Sequence, residues 1–267
     1  MILIDTHTHL YLPEFDNDRE EVVARALQAG VKKMFLPNID STTIDALMEM
    51  SRRHPDHCHP MMGIHPSSLK EEWENEVETA ERWLRRHPFI AVGEIGIDLY
   101  WEKQYRRQQK EGFARQVQLA LDHRLPVVIH SRESLKEIFD VLNSFAVLPP
   151  GVFHSFTGTY EEAKRILDKG FLLGIGGIVT FRNSSLKEEI GPLGPSRLLL
   201  ETDAPYLAPV PRRGRRNESA YLVHTATFLA DLFGMSMEEI ANITSRNARD
   251  TFPRAFDEDH PSEPERT

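Results

Sequence analysis

Leu3-Ile4-Asp5-Thr6-His7-Thr8-His9 is an apolar run of strand length that closes on two histidines one residue apart. The two-residue period of a strand points both imidazoles to the same side. The run, Ile2 to Thr6, is the first of eight. The others are Lys33 to Pro37, Pro60 to Ile64, Ile90 to Glu94, Pro126 to His130, Val152 to His154, Phe171 to Ile175 and Arg197 to Glu201. Each is too short for an independent helix and is enriched in Val, Ile, Leu and Phe. The stretches between them read as helices. Asp18 to Ala29 is closed by Gly30 and Tyr160 to Lys169 by Gly170, at the position where a left-handed residue commonly ends a helix. Lys103 to His123, Ala220 to Phe233 and Met237 to Arg249 carry further helical patterns.

Eight short strands alternating with helices predict repeated βα units around a parallel sheet. The expected fold is α/β, a (β/α)8 TIM barrel of the metal-dependent hydrolase type. At 267 residues the chain has the length for one such barrel, which takes about 250. A single domain is expected over residues 1–256, followed by a polar, acidic and flexible tail at 257–267.

The composition, 40% hydrophobic and 27% charged, is that of a globular chain able to bury a sizeable core. No run approaches the roughly 20 apolar residues of a membrane-spanning helix, and no signal peptide is apparent. A single cysteine, Cys58, excludes an internal disulfide and fits a reducing compartment, so the expected location is cytoplasmic. The formal charge of −9 argues against coating nucleic acid through a broad basic surface. It leaves room for a nucleic-acid enzyme, because divalent ions in a cleft supply local positive charge.

Barrel enzymes place their reactive groups where strands end, so the polar residues at those points are the candidates. Of the 12 histidines, His7, His9, His65, His130 and His154 fall there, joined by Glu94 after strand four and Asp203 after strand eight. Four histidines and two carboxylates suffice for two divalent ions sharing a bridge. Imidazole accepts zinc, nickel, manganese or iron, and carboxylates extend the choice to magnesium. Glu94, between the two histidine pairs in strand order, is the expected bridge. Asp203 is placed to bind one ion and to take a proton from the attacking water. A second tract, His54, His57, Cys58 and His59, matches no standard zinc spacing; it precedes strand three and is expected to be a solvated loop at the opposite face.

With these residues in place the chain resembles the TatD family of metal-dependent deoxyribonucleases, within the amidohydrolase-like barrels. The resemblance rests on Ile4-Asp5-Thr6-His7-Thr8-His9-Leu10, Gly63-Ile64-His65-Pro66, Gly93-Glu94-Ile95-Gly96-Ile97-Asp98, Ile129-His130-Ser131-Arg132 and Val152-Phe153-His154-Ser155-Phe156-Thr157-Gly158. It continues through Leu200-Glu201-Thr202-Asp203-Ala204-Pro205-Tyr206-Leu207, Arg215-Arg216-Asn217-Glu218 and Arg246-Asn247-Ala248-Arg249. It implies one ion on His7, His9 and Asp203, another on His130 and His154, Glu94 between them, and His65 on the scissile phosphate. The implied reaction is hydrolysis of DNA phosphodiester bonds, often as an exonuclease on single-stranded ends, assisted by magnesium or manganese. Many relatives carry a second histidine where this chain has Ser67.

Arg132, beside His130, can fork onto phosphate oxygens. Tyr100, Trp101 and Tyr206 can stack on unpaired bases or pack under a loop. Arg212, Arg213, Arg215 and Arg216 form a cluster that serves either phosphate or a solvated face. The expected partner is single-stranded DNA, with no membrane and no stable protein partner. Two alternatives stay open. One is an amide, lactone or small phosphoester hydrolase on the same barrel, many of which bridge their metals with a carbamylated lysine where this chain has Glu94. The other is a binder of metal or nucleic acid without turnover.

Overall fold

In the computed structural model, which describes residues 1–101 and 103–257, every sheet ladder is parallel. The strands are β1 (Leu3–Asp5), β2 (Val31–Leu36), β3 (Cys58–Pro60), β4 (Val92–Asp98), β5 (Val127–Arg132), β6 (Gly151–Phe153), β7 (Leu172–Ile175) and β8 (Leu198–Leu200). The helices are α1 (Arg19–Gln28), α2 (Ile44–Arg53), α3 (Trp73–Leu84), α4 (Arg106–His123), α5 (Leu135–Leu142), α6 (Tyr160–Asp168), α7 (Leu186–Ile190), α8 (Leu222–Phe233) and α9 (Met237–Thr251). The expected tail falls outside the described residues except for Asp257.

Regular pairing runs from β1 to β3 and from β4 to β8. Backbone hydrogen bonds close both seams. Ile90 N donates to Pro60 O at 3.1 Å, Met62 N to Ala91 O at 3.1 Å and Gly93 N to Met62 O at 3.1 Å. On the other side Thr6 N donates to Leu200 O at 3.0 Å, and Thr8 bridges Ala204 in parallel. The ring is a (β/α)8 barrel without a free sheet edge.

Alternation along the strands sorts the core into two parts. Val127 and Ile129 pack outward with the helices, while Val128 joins Ile4, Phe35, Met61, Ile90, Val152 and Leu199 in an inner cluster completed by Phe252. Nearly every strand supplies one residue to this inner cluster, and Ala248 and Phe252 bring the end of α9 against it. The barrel is thus filled at its amino-terminal end and keeps its polar groups for the other. His130, two residues beyond Val128, shares the inward face.

Two expected boundaries shift, each for a physical reason. Strand three pairs with β2 through Cys58–Pro60, not Pro60–Ile64, because Met34, Phe35 and Leu36 lie opposite Cys58, His59 and Pro60. Met61 and Met62 continue as extended chain that hydrogen-bonds to β2 and to the chain before β4. The cysteine and histidine tract is therefore not a solvated loop. Cys58 is fully buried, His59 Nε2 lies 3.0 Å from Lys33 Nζ, His57 Nδ1 lies 2.9 Å from Lys32 O, and His54 Nε2 lies 3.1 Å from Glu20. Each histidine has a partner of its own, and none joins a candidate metal group among the described residues.

Strand four runs on to Asp98, four residues past its expected end at Glu94. Its register slips between Val92, opposite Val127, and Ile95, opposite Ile129, so that three steps on β4 match two on β5. This bulge carries Glu94 and re-aims its side chain, as bulges beside functional sites do. Gly96, at φ 146°, lets β4 pass close to β5, since a Cβ there would overlap the His130 carbonyl oxygen.

Gly96→Ala should therefore lower stability by about 2 kcal/mol or more, combining a steric clash with backbone strain. Gly170→Ala also sits at positive φ but meets nothing within 4 Å, and should cost only about 1 kcal/mol. Urea unfolding of both variants checks the ranking; equal losses would mean that β4 can retreat from His130.

Candidate metal centre

Glu94 is buried at the middle of the barrel mouth, and its two carboxylate oxygens face different strands. Oε1 lies 2.9 Å from His130 Nδ1 and 2.9 Å from His154 Nε2. Oε2 lies 3.2 Å from His7 Nε2 and 3.9 Å from His9 Nε2. Asp203 Oδ1 adds to the second group, 3.7 Å from His9 Nε2 and 3.9 Å from His7 Nε2. The rings of His7 and His154 stack at 3.8 Å, joining the two groups. All six candidate ligands are brought together. Three overlapping sets have ligand atoms within 4.8 Å of one another: His7, His9 and Glu94; His7, His154 and Asp203; His65, Glu94 and His130.

Neighbours orient His9 and His130, while His7 Nδ1 and His154 Nδ1 are buried without a hydrogen-bond partner among the described residues. Tyr11 donates its hydroxyl hydrogen to Pro37 O at 2.6 Å, so its oxygen can only accept from His9 Nδ1 at 3.0 Å. Burial holds the Tyr11 phenol well above its usual range, so that proton stays. His9 then presents a bare Nε2 to the centre. His130 Nε2 lies 3.1 Å from Asp98 Oδ2 and Nδ1 2.9 Å from Glu94 Oε1; against burial, hydrogen bonds to these two carboxylates raise its pKa, and a cation at Glu94 would meet a bare Nδ1 in place of its proton. Burial resists ionisation of Asp98, but hydrogen bonds from His130 and from the Trp101 and Tyr100 backbone outweigh it and keep the carboxyl low. Glu201 Oε1 is the acceptor nearest His154 Nδ1, at 3.4 Å, although the alignment makes no hydrogen bond. Bare nitrogens and carboxylate oxygens converging in a buried space fit a divalent cation, and outer hydrogen bonds of this kind orient metal-binding histidines.

His65 differs from the others. Its Nδ1 accepts the Ser67 backbone N–H at 3.1 Å, so Nε2 carries the hydrogen in the neutral ring. That Nε2 lies 3.6 Å from Glu94 Oε1, close enough to be grouped with the ligands but arranged to donate. Burial pushes its pKa down to about 4, keeping it neutral. The Ser67 hydroxyl, 2.7 Å from the same Nδ1, adds a side-chain contact to this backbone bond, and His65 is left a hydrogen-bond donor at the mouth.

The electrostatics follow from burial. Desolvation opposes ionisation of Glu94, but the attraction of His154 and His7 and a hydrogen bond from His130 outweigh it and hold the carboxyl well below its usual range. Burial raises Asp203 to about 6 against the pull of His154 and His7. The side chains of Asp203, His130 and His65 are 16%, 17% and 18% exposed, whereas His7 is 0% and Glu94 3%, so the first three form the face open to solvent.

Arg132 reaches that rim with its guanidinium 4.1 Å from the Tyr100 ring centroid and 5.5 Å from that of Trp101. Of the arginine cluster, Arg216 is bound to Asp18 and to Glu14 O, while Arg213 lies over Phe181 and Arg212 over Tyr221. Sequence alone missed the outer partners Tyr11, Asp98, Glu201 and Asp5. Asp5 accepts from Thr202 N at 2.9 Å and Thr202 Oγ1 at 2.6 Å, which ties the strand bearing His7 to the turn bearing Asp203. The available signal was spacing, because Asp5, Tyr11 and Glu201 each lie two residues from a candidate ligand.

Comparison with known proteins agrees with this geometry. A family model described as TatD related DNase matches residues 4–253. An uncharacterised metal-dependent hydrolase of Bacillus subtilis (strain 168) is 36% identical over 253 residues, covering 94% of this chain and 99% of the relative. A protein of Pantoea ananatis named 3'-5' ssDNA/RNA exonuclease TatD is 34% identical over 258 residues, with 94% and 99% covered. The crystal structure of a TatD homologue from Escherichia coli K12 superposes with a TM-score of 0.87 at 32% identity, covering 94% of this chain and 98% of that one. A nearly full-length family match, relatives above 30% identity and a barrel whose mouth gathers histidines and carboxylates agree: the chain belongs to the TatD-related DNase family of metal-dependent hydrolases.

Proposed function

We propose that this enzyme hydrolyses DNA phosphodiester bonds at a two-metal centre, as a 3'-5' exonuclease on single-stranded ends. The observation that carries the reading is the division of Glu94 between two ligand groups, Oε2 with His7, His9 and Asp203 and Oε1 with His130 and His154. His7, His9, Asp203, His130 and His154 with Glu94 would hold two divalent ions, magnesium or manganese in use and zinc or nickel accepted by the same donors, which would supply Lewis acidity to the reaction.

The protein's own groups do the rest. Glu94 would hold an ion on either side, and its ionisation is secured by the surrounding histidines. Asp203, on the open face, accepts the proton of the attacking water, for which a carboxylate near neutral pKa is suited. His65 donates from Nε2 and Arg132 from its guanidinium to the non-bridging oxygens of the scissile phosphate. A cavity of about 420 Å³ between the turns after β5 and β6, lined by Arg132, Ser134, His154 and Phe156, leaves room for substrate beside the centre. A lysine bridge of the amidohydrolase kind finds no support, since Lys103 pairs with Glu133 at 3.4 Å. The name of the Pantoea relative supports the nuclease reading.

Metal-stripped protein given labelled single-stranded DNA should shorten it from the 3' end only when magnesium, manganese or zinc is restored, and Glu94→Ala should abolish the reaction. Turnover of small phosphoesters, amides or lactones with no cutting of DNA under any metal would overturn the proposal. Activity should fall as pH drops through about 6 or lower, where Asp203 takes up a proton; a neighbouring cation only moves this limb further down. Asp203→Asn should remove the limb and cost at least about 100-fold in kcat. Tyr11→Phe and Asp98→Asn release the tautomers of His9 and His130, and each should weaken metal affinity by roughly 10- to 100-fold in calorimetric titration.

A further inference from the structure

We infer that the two opposite rims of the barrel mouth are base-stacking platforms, Trp101 on one side and Tyr206 on the other, which hold a single strand across the metal centre. This rests on the deoxyribonuclease reading and specifies what the rims recognise, namely unpaired bases on both sides of the scissile phosphate.

Among the described residues only three aromatic side chains are exposed: Tyr100 at 46%, Trp101 at 68% and Tyr206 at 49%. All three lie on turns beyond the carboxyl ends of strands, two after β4 and one after β8. In a ring of eight strands β4 and β8 are four places apart, so the two turns face each other across the mouth. Open aromatic surface is costly in water, and here it is confined to the rims of the candidate site.

Both turns are tied to candidate ligands. Asp98 Oδ1 accepts from the backbone N–H groups of Tyr100 and Trp101 at 2.9 Å each, while Oδ2 meets His130 Nε2 at 3.1 Å. One buried carboxylate therefore fixes the aromatic turn and a candidate metal ligand together. Across the mouth Tyr206 N donates to Asp203 O at 2.9 Å, and Asn217 Nδ2 donates to both Tyr206 O and Thr202 O. The Tyr206 ring stands 6.4 Å from that of His9. Turns fixed in this way lose little backbone freedom when a base stacks on their rings.

Arg132 lies closer to Tyr100, at 4.1 Å, than to Trp101, at 5.5 Å, and the indole keeps the larger exposed surface, which makes Tyr100 the support and Trp101 the platform. Stacking of this kind tolerates any sequence, since every base offers a π-face, but it requires a base freed from its duplex partner. Two platforms astride one phosphate therefore select single-stranded ends without reading sequence.

The test uses the metal-loaded, full-length enzyme and labelled single strands whose terminal or penultimate nucleotide is either intact or abasic. Trp101→Ala and Tyr206→Ala should each raise KM on intact strands by about ten-fold with kcat little changed, and Trp101→Phe and Tyr206→Phe should keep most of the affinity. An abasic nucleotide on the matching side should cost the wild type a similar factor and cost the alanine variant nothing more. Melting temperatures equal to that of the wild type would exclude simple loss of folding. Wild-type cutting of DNA with alanine variants unaffected, or losses that multiply with the abasic substitution, would overturn the stacking alone. A wild type that cuts no DNA would overturn this inference together with the nuclease reading.

Discussion

The structure turns on one buried carboxylate. Glu94 sits among nitrogens from three other strands and would be expensive to ionise in that place by itself. The imidazoles around it reverse the balance, so it stays charged and presents one oxygen to each side of the barrel. Four strands must therefore converge on two atoms. That demand accounts for the bulge that turns Glu94 inward and for the absence of a side chain at Gly96, where β4 presses against β5.

Around this centre lies a set of residues that touch no candidate metal position and control those that do. Tyr11 and the Ser67 backbone each settle the proton on one ring, leaving His9 bare towards the centre and His65 ready to donate, while Asp98 accepts from His130 Nε2 and aims Nδ1 at Glu94. Asp5 joins the first strand to the last turn through Thr202, and burial pushes its pKa up to about 7 despite four favourable hydrogen bonds. A carboxyl kept there at such cost marks the seam where His7 and Asp203 must meet. These groups are as necessary to a metal cage as its ligands, since an imidazole in the wrong tautomer offers a proton where a lone pair is required.

The two ends of the barrel divide the work. Phe35, Val128, Val152, Leu199 and Phe252 fill the amino-terminal end with close-packed apolar side chains. The carboxyl end holds the histidines, the carboxylates and the exposed aromatics. With a net charge of −9, positive charge at the mouth has to be local, from Arg132 and from any cation the candidate ligands hold, since Arg216 beyond β8 is already paired with Asp18.

Much of this was legible in the sequence. Eight apolar runs of strand length, glycines at helix ends, and histidines and carboxylates at strand ends depend on residues a few positions apart, so periodicity and residue chemistry identify the barrel and single out the six candidate ligands. The Glu94 bulge, the true edges of β3 and β4, and the burial of Cys58 depend on which strand lies opposite which, and that is decided by pairing across the barrel. The proton positions go further from the sequence still: Tyr11 is directed by Pro37, 26 residues away, and Asp5 by Thr202, 197 residues away. Likewise the chemistry of Tyr100 and Trp101 admits either a packed or an open role, and only the folded turn exposes them at the mouth. Residue type and local spacing determine what each group is able to do; the closed barrel determines which partner takes its proton, which face it shows, and therefore what it does.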